Sequence, residues 1–245
     1  MPLTLMPTAR REHVLHALVS GGFAVVPRDV LFTTVGASFP EALALSPLFD
    51  DLPADAHLKD GGAYRFRRHG CFVHDLEADT LTAVPHRAHY QPLTYNALHG
   101  GMERWFSPLH PAMSESSAFS ALVRGLGQIF ASVRRAPRYF VEAHAFRIDP
   151  SEGVGRPTPE GAHRDGVDFV AVVLVDRVSV RGGETRVFEA DGPEGVRFSL
   201  VEPWSALLLD DTRVVHETTP IVPTGPTPHR DTLVITYREA GFQAP

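Results

Sequence analysis

The sequence predicts a mainly β, α+β protein, an antiparallel double sheet of jelly-roll or cupin-like barrel type with flanking helices. Three observations lead there. Beyond residue 137 the chain breaks into short β-type runs at 138 to 148, 168 to 175, 184 to 188, 196 to 201, 204 to 209 and 231 to 237, separated by Gly, Pro and Asp clusters. No helix-length pattern interrupts them, so the crossovers that a parallel sheet needs are missing. The 21 prolines and 20 glycines fit many turns between short elements.

Upstream, residues 9 to 20 carry Val14, Leu15 and Leu18 at helical spacing and stop at Gly21-Gly22, and Phe23 to Val26 follows as a strand. From 114 to 135, Phe119, Leu122, Val123, Leu126, Ile129, Phe130 and Val133 recur at three- and four-residue intervals behind a serine-rich start able to cap a helix. That stripe is a packing face rather than a cofactor site. The stretch 40 to 112, mixed in period and rich in His, Arg and Pro, resists assignment. At 245 residues the chain reads as one domain, with a helical and mixed N-terminal part to about 137 and a jelly-roll core over about 138 to 240.

A composition of 43% hydrophobic and 21% charged residues is that of a globular protein, and a net charge of -6 weighs against a nucleic-acid partner. A small-molecule partner is expected. The lone Cys71 can form no intramolecular disulfide and reads as a buried thiol. The N-terminal MPLTLMPTARREHV has its arginines after, not before, a short apolar stretch, the wrong order for a secretory signal, and no run is long enough to span a membrane. The expected compartment is the cytoplasm; the oligomeric state is left open.

The 13 histidines invite a metal. His-x-Asp arises by chance about once in a chain of this composition and occurs here twice, as His163-Arg164-Asp165 and His229-Arg230-Asp231. Context separates the two: the first stands at the start of a buried strand with a further histidine downstream, the second has none after it. Residues i and i+2 of extended chain project to one side, so His163 and Asp165 can chelate one ion while Arg164 points away. His216 follows an apolar run and the turn-like Asp210-Asp211-Thr212, where a strand delivers it to the mouth of a barrel. Two imidazoles and one carboxylate leave adjacent positions open, as non-haem Fe(II) oxygenases require to hold a bidentate co-substrate and O2. A closed zinc site would show four ligands, often thiolates. Arg230 lies 14 residues beyond His216, where its planar donors can meet the distal carboxylate of an iron-chelating 2-oxoglutarate, and Thr232 shares its face.

Several segments then carry a resemblance. PEGAHRDGVDFV, GGET (182 to 185), LLLDDTRVVHETTPI (207 to 221), HRDTLVITY (229 to 237) and, earlier, YRFRRHGCF (64 to 72) and YNALHGGMERWFSPL (95 to 109) resemble, in order, the bacterial 2-oxoglutarate/Fe(II)-dependent dioxygenase family that includes L-isoleucine 4-hydroxylase. The resemblance spans most of residues 64 to 237. It implies a double-stranded β-helix, iron at His163, Asp165 and His216, 2-oxoglutarate at Arg230, and hydroxylation of a free L-amino acid or oxidation of a thioether, with release of succinate and CO2.

Other candidates carry less. His144 shares parity with Phe146 and Ile148 and can face a pocket, although a satisfied core histidine is the commoner case. Arg65, Arg67, Arg68 and Arg104 can reach a substrate carboxylate but read first as surface or structural residues; Tyr95 and Asn96 are candidates for a lid. His13 and His16 lie on an ordinary helix, Gly182-Gly183 reads as a turn, and the His-Arg-Asp at 229 lacks the glycine-rich loop of a kinase. Two alternatives stay open on the sequence: a cupin-like metalloenzyme that does not use 2-oxoglutarate, and a binding protein whose oxygenase site has decayed.

Overall fold

A computed structural model describes residues 3–96, 98 and 100–245. In chain order its elements are α1 (Arg11–Gly21), β1 (Phe23–Val26), α2 (Arg28–Val35), α3 (Phe39–Leu43), a 3-10 turn (Ser46–Phe49), β2 (Arg65–Asp75), β3 (Thr80–Ala83), α4 (Pro111–Ser114), α5 (Ser117–Val133), β4 (Arg138–Ile148), β5 (Phe169–Val178), β6 (Val180–Gly182), β7 (Thr185–Glu189), β8 (Gly195–Phe198), β9 (Ala206–Asp210), β10 (Val214–Thr218), β11 (Ile221–Pro223) and β12 (His229–Arg238). Gly22 ends α1 in the left-handed conformation at φ 75°, its N–H returning to the Leu18 carbonyl, as a glycine stop should. The long helix holds the whole apolar stripe but is shorter than the expected span of 114 to 135. Ser116 caps it through the N–H groups of Ala118 and Phe119, and the residues before form the separate turn α4.

Seven strands form one antiparallel sheet in the order β1-β9-β5-β12-β4-β2-β3; a three-stranded sheet β10-β7-β8 and a pair β11-β6 make up the smaller layer. This is the mainly β double-sheet architecture expected for a double-stranded β-helix. The alternation of each strand sorts its residues between two environments. Val141, Ala143 and Ala145 of β4 and Leu233, Ile235 and Tyr237 of β12 pack under α5, α1 and α2 in the main apolar core. On the other face, Val170, Leu174, Leu207 and Leu209 pack against Val187 and Val214 of the small sheet.

The same face of β12, β4 and β2 meets no apolar layer. Register places Arg230 beside Ile148, Thr232 beside Phe146, Val234 beside His144 and Thr236 beside Glu142, and Arg67 beside Phe146 and His69 beside His144. All of these side chains except His69 line one wall of a cavity between the sheets. β2, unassigned from sequence, pairs with β4 along its whole length. Among the described residues no helix is long and apolar enough to cross a membrane.

Candidate metal centre and co-substrate pocket

His163 lies in the loop before β5 and His216 in the middle of β10, and the two are backbone partners: each N–H donates to the other's carbonyl, at 3.1 and 3.0 Å. Their rings come to 4.6 Å between centroids. Asp165 joins them, its Oδ1 4.0 Å from His163 Nε2 and its Oδ2 3.9 Å from His216 Nε2. One ligand atom from each lies within 4.8 Å of the others. The second His-x-Asp does not form such a group: Asp231 pairs with Arg147 and the His229 ring bonds the Thr227 carbonyl.

Several bonds lock this arrangement. Asp211 accepts the N–H of Asp165 at 3.0 Å on one oxygen and those of Gly166 and Val167 at 2.8 and 3.1 Å on the other, fixing the turn. Gly166 sits at φ +75° and packs against the Tyr95 ring so closely that a Cβ would stand 2.4 Å from it, so this position needs glycine twice over. Gln91 donates to Asp165 Oδ1 at 3.0 Å and accepts from Arg104 and Asn96. The His163 Nδ1–H donates to the Gly161 carbonyl at 3.0 Å, which turns the lone pair of Nε2 toward Asp165 and His216.

The electrostatics ask for a cation. Burial pushes the Asp165 carboxyl up, with Glu160 adding to the effect. Burial and then the Asp165 charge push Asp211 up to about 7. Burial drives His163 down, but Asp165 and Glu160 outweigh it and hold its imidazole above the ordinary value, whereas burial and His163 drive His216 well down. Crowded carboxylates around two imidazoles are what a divalent ion neutralises, and the nitrogen and oxygen donor set suits Fe(II).

Arg230 lines the same cavity, 3% exposed, on one face with Thr232. Its guanidinium makes no hydrogen bond or ion pair with a described residue, and its Nε is buried without a partner. Burial and the neighbouring Arg177 hold its pKa down to about 10. A buried, unpaired guanidinium beside a second arginine fits the carboxylate of a bound acid.

The remaining sequence candidates divide. His144 faces the cavity and is also bonded, its Nδ1 2.7 Å from an Arg67 nitrogen. Arg65, Arg67 and Arg104, read first as surface or structural residues, are buried in the cavity wall, while Arg68 bonds the Pro108 and Asp51 carbonyls. Asn96 lines the cavity and Tyr95 covers Gly166; of the 95 to 109 segment, Ala97 and His99 lie outside the described residues. Gly182 and Gly183, both at positive φ, link β6 to β7. His13, half-buried on α1, bonds Ala9 and Arg10. Sequence reasoning missed Gln91, Glu142, Arg177 and the anchoring role of Asp211.

No curated protein matches the chain in sequence. A bsmA homolog from Methylobium petroleophilum PM1 is 54% identical, with a TM-score of 0.94 over 100% of this chain and 99% of that one. IDO from Bacillus thuringiensis shares the fold at 17% identity, with a TM-score of 0.76 over 97% and 99% of the two chains. The Fe(II)/α-ketoglutarate-dependent dioxygenase TqaL does so at 20% identity, with a TM-score of 0.70 over 94% and 87%. The family model described as "2OG-Fe dioxygenase" matches residues 46–236, which contain every side chain named around the metal and co-substrate positions. The chain belongs to the 2OG-Fe dioxygenase family, whose members use Fe(II) and 2-oxoglutarate.

Proposed function

We propose that this dioxygenase oxidises a free L-amino acid, at an aliphatic C–H bond or a thioether sulfur, with His163, Asp165 and His216 holding the iron and Arg230, aided by Thr232, holding the distal carboxylate of 2-oxoglutarate. The observation that carries the assignment is the pairing, in one cavity, of an open-sided His/Asp/His group with a buried guanidinium that has no partner among the described residues. When bound, iron and 2-oxoglutarate supply the oxidation, releasing succinate and CO2 and placing one oxygen atom on the substrate.

The chain's own residues place and shelter that chemistry. The Gly161 carbonyl orients the His163 ring, Asp211 holds the backbone N–H of Asp165, and Gln91 holds one oxygen of the Asp165 side chain. Gln243 donates to the carbonyls of Asp165 and Gly166, drawing the C-terminal segment over the loop. On the substrate side, Arg67 and Arg104 each bury an unpartnered Nε, and Asp55 is the carboxylate that ion-pairs with Arg65 and Arg67. This surplus of positive charge suits a substrate bearing a carboxylate, and Val172, Val234 and Phe140 suit its aliphatic part.

The test is succinate release with a panel of free L-amino acids and their N-acylated or carrier-bound forms, with a His163→Ala control. Stimulation by free aliphatic amino acids or methionine, absent in the control, is expected. Turnover stimulated only by the acylated or carrier-bound forms overturns the substrate class.

A further inference from the structure

Further along the same wall from Arg230, β2, β4 and the segment after β3 bring a second cluster together, of which His89, Glu142 and His144 line the cavity. His69, His89, Glu142 and His144 are all buried, with one ligand atom from each within 4.8 Å of the others. Its centre is one carboxylate oxygen. Glu142 Oε2 accepts from His69 Nε2 at 3.1 Å and from His89 Nδ1 at 2.5 Å, and His144 Nε2 lies 3.8 Å away. The other oxygen of Glu142 takes no hydrogen bond from a described residue, and the side chain lines the cavity.

The geometry disfavours a metal here. The His69 and His144 rings are stacked, 4.5 Å apart and 15° from parallel, so an ion in the plane of one stands well out of the plane of the other. His144 already accepts from Arg67, whose guanidinium is clamped between the Phe106 and Phe146 rings at 3.7 and 4.3 Å. Arg65, Arg67 and Arg104 around the cluster repel a dication.

The same facts suit an organic cation with N–H donors. Burial holds His69 and His144 below their ordinary pKa and His89 down to about 4, so all three are neutral donors or acceptors that leave the Glu142 charge uncancelled. Burial alone would raise Glu142, but its interactions with His89 and His69, which include a hydrogen bond to each, hold it well below the ordinary carboxylate value. No arginine ion-pairs with it among the described residues. Beside it, Arg104 donates to Gln91, which in turn donates to Asp165, so the cationic wall runs to within two hydrogen bonds of the metal centre.

We propose that Glu142, braced by His69 and His89, receives the α-ammonium group of the substrate while Arg67 and Arg104 receive its carboxylate, so that the pocket selects the zwitterion over N-acylated or deaminated analogues. This deepens the amino-acid reading above and rests on it.

The experiment compares binding of L-isoleucine, L-leucine and L-methionine with that of their 2-hydroxy acid counterparts, by calorimetry and by perturbation of the anaerobic Fe(II)–2-oxoglutarate absorption band, in wild type and in Glu142→Gln. A wild-type preference for the amine of at least about 30-fold is expected, about 2 kcal/mol. In Glu142→Gln it should shrink to a few-fold, while 2-oxoglutarate affinity stays unchanged. Should the variant not fold, the wild-type ratio alone decides, and a ratio near one overturns the proposal. So does a variant that keeps the preference, or a second equivalent of Zn(II) bound by wild type and lost in Glu142→Gln. Binding and turnover of free amino acids with no amine preference overturns this inference alone; a wild type that accepts none of them overturns the amino-acid reading as well.

Discussion

Replacing Arg230 by Met should separate stability from co-substrate binding. The guanidinium is buried, with its pKa held down to about 10 from an ordinary 12.5. A depression of that size costs the ligand-free fold about 3 kcal/mol. The sign follows from the lowered folded-state value of a basic group: the penalty applies in full below about pH 10 and fades only as pH rises through it, so it is present at neutral pH. Met is of similar length and removes the charge without leaving a large void. The ligand-free variant should therefore melt no lower than wild type and as much as about 10 °C higher. Binding moves the other way. Losing one partner of a buried, hydrogen-bonded charge pair costs about 2–5 kcal/mol, so 2-oxoglutarate affinity should fall at least about 30-fold. With Mn(II) standing in for iron and 2-oxoglutarate at about 100 times its wild-type dissociation constant, wild type gains about 2.7 kcal/mol and the variant under about 1 kcal/mol. Thermal melts with and without ligand measure both. A variant that melts several degrees lower yet keeps the full 2-oxoglutarate shift refutes the assignment of Arg230.

Three further outcomes are expected. Gln91→Leu removes the bond to Asp165 Oδ1 and should weaken Fe(II) or Mn(II) binding about 10- to 100-fold by anaerobic chelator competition, whereas equal affinity would show that Gln91 does not position the ligand. Asp211 is raised to about 7 in the metal-free protein, so the stability tied to its protonated form is complete below its unfolded value near 3.8 and is lost as pH climbs through about 7. Metal-free protein should accordingly melt lower as pH rises, and the gain on adding Mn(II) should grow between about pH 5 and 8; a gain independent of pH contradicts this. Gly166→Ala must adopt φ +75° and displace Tyr95, a loss of about 1–2 kcal/mol from the backbone alone that should lower the melting temperature by about 2–8 °C, and a silent substitution would refute the strain argument.

What could be read from the chain depended on which face of each strand met oil. β5 and β9 carry apolar residues on both faces and β12 puts Leu233, Ile235 and Tyr237 on the helix side, and their runs stood out. Residues 64 to 83 gave no such signal although β2 is an 11-residue strand. Its inward positions are Arg65, Arg67 and His69, so the period of two is there with polar side chains on the buried side. The metal group was legible because two of its members are neighbours in sequence and the third follows an apolar run. Arg230 was legible by its place after them. Glu142 and His89 were not, because they meet 53 residues apart, and Gln91 reaches Asp165 across 74; only strand register and loop packing bring them together.

The inverted alternation is itself informative. A buried arginine or carboxylate without a permanent partner opposes folding, so a sequence keeps such groups inside only where a ligand completes them. In this chain the incompletely satisfied buried charges fall into three groups on one cavity: an excess of carboxylate around His163 and His216, the Arg230 guanidinium with no partner among the described residues, and a wall where Arg67 and Arg104 each keep a buried Nε unpartnered beside Glu142. The first asks for a metal cation, the second for a dianionic acid bound at its far end, and the third for a molecule carrying both charges. Each demand is met by one component of the amino-acid oxidation proposed above, and the apolar face of the same strands, packed under α5, supplies the stability that holds all three in place.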